Sequence, residues 1–125
     1  MNVATRIKIE KRIVRKLIRT MKAKGWDAYA VNDGEEFYRG LKTEKAVLEH
    51  AFAVDECSIY FENKSLPFVG KDGTKDCVGH HVYLVFGNDG WDVICDYSYN
   101  AADDFDKIMQ EEIDPYTEAI ADEYN

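Results

Sequence analysis

Two prolines and three cysteines among 125 residues leave this chain short of both rigid turns and crosslinks. Cys57, Cys77 and Cys95 form an odd, irregularly spaced set, whereas a disulfide framework uses even numbers. A reducing compartment, hence a cytoplasmic protein, is the simpler expectation. Long apolar runs are missing as well. The longest, Val82 to Phe86, is strand-sized, far below the roughly 20 residues that cross a bilayer. The N-terminal stretch is broken by charge and has no apolar h-region, so no secretory signal is expected.

The signatures of common chemistries are also absent. There is no G-x-S-x-G elbow, no Walker-type phosphate loop and no G-x-G-x-x-G. Gly70-Lys-Asp-Gly-Thr-Lys75 imitates a phosphate cradle without its glycine spacing, and reads as a surface turn. Cys77 and His80 make one C-x-x-H unit, but structural zinc wants a second close pair. Adjacent His80 and His81 would point to opposite sides of a strand. Cys77 beside a histidine lacks any recognisable nucleophile motif. Carboxylate pairs abound, yet nothing places one in a cleft; Asp92 and Asp96 would stand roughly 13 Å apart along a strand. The expectation is therefore no catalytic residue, no metal and no cofactor.

What the chain has is enough apolar material, 46% hydrophobic and 13% aromatic, for one globular domain spanning 1–125. It also has polarised charge. Residues 1–24 carry nine Lys/Arg and one acid, residues 101–125 nine Asp/Glu and one Lys, within a net charge of −8. Such an acidic total argues against broad DNA binding.

The apolar periodicity of Ile7, Ile13, Val14, Leu17, Ile18 and Met21 predicts an amphipathic helix over 5–24, capped by Thr5 and stopped by Gly25. Trp26–Val31 and Glu35–Arg39 flank Asn32-Asp-Gly34 as a hairpin. A second helix runs from Thr43 as cap to about Val54, and Cys57–Phe61 is a strand. Residues 63–79, with Pro67 and three glycines, read as a long loop. His81–Phe86 reads as a strand covered on both faces, and Trp91–Tyr97 as its hairpin partner with Trp91, Val93, Cys95 and Tyr97 on one side. Ala101–Ile113 is helical, then Asp114-Pro115 breaks the chain before a short last helix. The fold class is α+β: a small antiparallel sheet of four to five strands with an N-terminal amphipathic helix, a middle helix and a C-terminal helical segment.

Function is legible only as charge. Lys8, Arg12, Arg15 and Arg19 lie on the basic face of the first helix; Asp103, Asp104, Glu111 and Glu112 lead an acidic tail. The leading expectation is a non-enzymatic protein-interaction module, a small acidic regulator or inhibitor of the texture carried by phages and plasmids. It would meet a protein partner through these faces. One alternative is a small-molecule site or enzyme beneath loop 63–79, using Cys77, His80 and His81. Another is nucleic-acid binding by helix 5–24, though no aromatic or amide readers accompany the stripe. The helix also lacks the aromatics of a membrane-surface helix, so no membrane partner is expected. Strand order and oligomeric state are not encoded in any local signal.

Overall fold

The computed structural model describes residues 1–125. Helix α1 (Val3–Ala23) leads into β1 (Asp27–Asn32) and β2 (Phe37–Tyr38), then α2 (Glu44–Ala51). Strands β3 (Glu56–Val69), β4 (Lys75–Val85) and β5 (Ile94–Tyr97) follow. The chain ends in a helical segment: α3 (Phe105–Ile108), a π turn (Met109–Ile113) and α4 (Asp114–Tyr124). The sheet is antiparallel throughout, in the order β2-β1-β3-β4-β5. This is an α+β fold with the helices on one face of a five-stranded sheet.

The core lies between that sheet face and the helices. On α1, Ile13, Val14, Leu17, Ile18 and Met21 of the periodic set are buried together with Ile9, whereas Ile7 is only half-buried; each buried side chain is worth about 1.5–3 kcal/mol of transfer free energy. They meet Cys57, Ile59 and Phe61 of β3, Val82 and Leu84 of β4, Val47 of α2 and Ile113 and Ile120 of the C-terminal segment. Alternate residues of β3 and β4 point to the opposite, helix-free face, as the pleat requires. The turn after β4 is clamped to α1. Gly87 N–H donates to the buried Glu10 carboxylate at 2.9 Å. Gly90 has φ +100°, and a Cβ there would stand 3.1 Å from Ile9 and 3.3 Å from the Arg6 carbonyl, so the close approach requires glycine.

Several local expectations are corrected. Asn2, not Thr5, caps α1: its side chain accepts from Thr5 N–H at 2.8 Å while its own backbone stays extended. Residues 63–79 are not a loop. β3 and β4 extend through them as a fourteen- and eleven-residue hairpin closed at Gly70–Thr74, where Gly70 N–H donates to Thr74 C=O at 2.8 Å. Pro67 is tolerated beside a register shift between Asn63 and Pro67, because a bulge frees the chain from donating there. β4 is covered on one face only; His81, Tyr83 and Val85 are half-buried on the other. In the second hairpin, strand pairing begins at Ile94, and a register shift turns Cys95 outward while Val93 stays in the core. Asp114 is not a cap either. It is helical, and its N–H donates to Met109 C=O five residues back. This wider turn precedes Pro115, whose missing N–H leaves one carbonyl of a regular helix without a partner.

Candidate functional site

The cations of α1 form a ridge along the outside of the helical layer, because every third or fourth residue on the other side is apolar and buried. α2 borders one flank of this ridge and the C-terminal segment borders the other. Two shallow grooves result. One, of about 550 Å³, runs between Lys11, Arg15 and Arg19 and the α2 residues Glu44 and Leu48 with Phe52 just after α2. The other, of about 600 Å³, lies between Arg12, Arg15, Lys16 and Lys24 and the C-terminal Glu112 and Tyr116. Arg15 walls both grooves.

The ridge cations divide by partner. Arg19 donates from Nε and Nη2 to both Glu44 oxygens, at 2.7 and 2.9 Å. That bond holds the Glu44 carboxyl below its ordinary value, against an opposing effect of burial, with Arg15 and Lys22 adding to it. Arg12 donates from Nε to the Tyr116 hydroxyl at 2.9 Å and from Nη1 to Glu123 at 3.4 Å. Lys24 stands 3.4 Å from Glu112. Lys16 lies 5.3 Å over the Tyr116 ring and Lys11 5.6 Å over the Phe52 ring. Lys8, Arg15 and Lys22 are exposed and lie in no salt bridge. Of the four basic residues named from the sequence, then, Arg12 and Arg19 are tied to neighbouring helices, while Lys8 and Arg15 are in no salt bridge.

The four acidic residues are not brought together as one surface. Asp103 is turned inward with its side chain only 3% exposed, and its Oδ2 lies 2.8 Å from His80 Nε2. Asp104 accepts from Trp26 Nε1 at 3.2 Å. Glu112 faces α1, and Glu111 is exposed. The acids that meet the ridge, Glu112 and Glu123, flank Tyr116 at helical spacing. That periodicity was the available signal for them.

The inward turn of Asp103 completes a buried chain, Ser98–His80–Asp103. Ser98 Oγ accepts from His81 N–H at 2.9 Å and lies 2.8 Å from His80 Nδ1. Every group is satisfied when the Ser98 hydroxyl donates to Nδ1 and Nε2–H donates to Asp103. Trp26 packs edge-on to the imidazole at 5.2 Å and Phe105 stacks on it at 4.6 Å. None of these three residues, nor Cys77 or His81, lines any of the five principal cavities. The chain of bonds joins β4, the end of β5 and the start of α3, which is structural work. Two of the thiols are not activated: burial pushes Cys57 up to about 12, and burial together with Glu62 raises Cys77. No group of three His, Cys, Asp or Glu residues is arranged to hold a metal ion, and no helix is long and apolar enough to cross a membrane.

Comparison with known protein families, with curated proteins and with solved structures finds no match. The functional reading therefore rests on the geometry of this chain alone.

Proposed function

We propose that this protein is a non-enzymatic interaction module that captures an acidic protein surface with the ridge of α1. The observation that carries the reading is Arg15, an exposed guanidinium without an ion pair, set on a rigid helix between two grooves. A planar fork held in this way suits bidentate recognition of carboxylates. Lys8 and Lys22 extend the free positive charge toward both ends of the helix. The pinned Arg12 and Arg19 brace the helix against its neighbours, so little order need be lost on binding. A carboxylate-bearing protein is favoured over nucleic acid because the net charge of −8 repels a long polyanion. Three free cysteines support a reducing, cytoplasmic setting.

The test is fluorescence anisotropy with two labelled probes, a glutamate-rich helical peptide and a short DNA duplex, at low and physiological salt. The variant Lys8→Ser/Arg15→Ser/Lys22→Ser removes cations that form no salt bridge, and circular dichroism checks that its fold is retained. The parent binds the acidic peptide, and the triple variant binds it about tenfold less tightly or worse. Duplex binding with a steep salt dependence and no peptide binding would replace this reading with a nucleic-acid contact.

A further inference from the structure

The sheet face away from the helices is uncovered, and its composition selects what can cover it. Pairing register and pleat put Asp27, Ala30, Asn32, Phe37, Glu56, Ser58, Tyr60, Glu62, His81, Tyr83 and Asp96 on this side. The one Lys that the alternation of β4 adds on this side is Lys75, at the far end of the hairpin. An aromatic row crosses the strands: Phe37 meets Tyr60 edge-on at 4.8 Å, and Tyr60 meets its cross-strand neighbour His81 at 5.6 Å. Carboxylates bracket the row. Glu56 is held at one end by the Tyr83 hydroxyl at 2.6 Å, with Asp96 opposite Tyr83 on β5. Glu62 stands at the other end, directly across from Asp27.

That last pairing is unfavourable, because like charges opposite one another destabilise a sheet. Lys64, 76% exposed and 3.9 Å from Glu62, is the one cation within salt-bridge distance of the pair. The protein also supplies its own example of what these rings accept. The Arg39 guanidinium lies 5.6 Å over the Phe37 ring, at the β2 end of the row.

We infer that this face is a second docking surface, for an extended, arginine-rich segment of a partner protein. Along β3 the outward residues Glu56, Ser58, Tyr60 and Glu62 recur every second position, about 7 Å apart. An extended partner running along β3 presents its alternate side chains at the same interval. Guanidinium groups then reach Glu62 and Glu56 while another stacks on Tyr60 or His81. Single-stranded nucleic acid also stacks on aromatic sheet faces, but its phosphates would meet four carboxylates, with cations only at the margins, Lys64 beside Glu62 and Arg39 over Phe37. The aromatic row and Glu56 lie on the side of the sheet away from the α1 ridge; at the β1 edge Asp27 and Glu62 line one cavity with Arg19 and Lys22, and the inference does not depend on that ridge binding anything.

A labelled short peptide alternating arginine and serine, titrated by anisotropy at low salt, tests it. The parent binds this peptide, and binds the lysine-for-arginine analogue several-fold less tightly, because an ammonium has no plane to stack. Glu56→Gln/Glu62→Gln and, separately, Tyr60→Ser/His81→Ser each weaken binding about tenfold, while Lys8→Ser/Arg15→Ser, whose cations lie away from this face, leaves it unchanged. Circular dichroism confirms that each variant is folded. Failure of the parent to bind the arginine peptide overturns the inference, and so does binding that survives both face variants. Binding of oligothymidylate that Tyr60→Ser abolishes would assign the face to single strands instead. Self-association in sedimentation equilibrium that Glu56→Gln/Glu62→Gln removes would assign it to a second copy of the chain.

Discussion

At the scale of single residues, the most constrained group is His80, buried among aromatic rings and bonded at both nitrogens. Removing Asp103 leaves Nε2 without an acceptor where both side chains are only 3% exposed. Asp103→Ala is therefore expected to cost about 3 kcal/mol, read as a lowered urea midpoint with an unchanged slope. Asp103→Asn, which can still accept from Nε2–H, recovers part of the loss. Half of this was readable in advance. Alternation alone sends His80 and His81 to opposite faces, and the structure has His80 in the core and His81 outside. Asp103 was not, because its partner lies 23 residues away and nothing local distinguishes an inward acid from eight others in the tail.

At the scale of elements, capping decides where helices start. Thr43 Oγ1 accepts from Ala46 N–H at 3.1 Å, the arrangement expected from its place before the apolar periodicity. Thr43→Ala should destabilise the protein by about 1 kcal/mol, measured by thermal melting, with Thr43→Ser nearly neutral. The C-terminal segment departs from the sequence expectation at Asp114-Pro115 for a physical reason. A proline ends a regular α-helix, but a preceding π turn shifts the hydrogen-bond pattern, and Met109, Ile113 and Ile120 then all reach the core. Burial of three apolar side chains outweighs the irregular turn. The hairpin 63–79 was hidden because its glycines and proline mark turns, while the pairing that overrides them comes from continuation of a strand ladder already begun in the core.

At the scale of the whole molecule, the basic head is held between acidic elements. Arg19–Glu44 joins α1 to α2, and Arg12–Glu123 with Lys24–Glu112 joins α1 to the C-terminal segment. The pH dependence of stability follows from two carboxyls with opposite signs. Glu44 is lowered on folding, mainly by the Arg19 hydrogen bond, so its contribution is complete above its ordinary value of 4.5 and disappears as pH falls through its folded value. Asp114 is raised, mainly by burial and then by Glu118, so ionising it opposes folding, and the penalty fades on acidification. Glu44→Gln should thus lower the Tm at neutral pH, with the deficit closing toward about pH 3; Asp114→Asn should raise it at neutral pH, with the gain closing in the same direction. Thermal scans of both variants across that range check the two signs together.

The sequence by itself determined the helices of the N-terminal half and the core strands, though not the ends of the long hairpin nor the side that Cys95 faces, because apolar periodicity, caps and turn residues act within a few positions of the chain. It also determined the cationic ridge, since any helix that buries Ile13, Leu17 and Met21 must turn Arg15 and Arg19 outward. Tertiary structure alone decided which cations remain free, that an acid of the tail goes inside, and that one sheet face stays bare with its aromatics and carboxylates in register. Those outcomes depend on partners 18 to 111 residues apart, brought together only when the whole core closes.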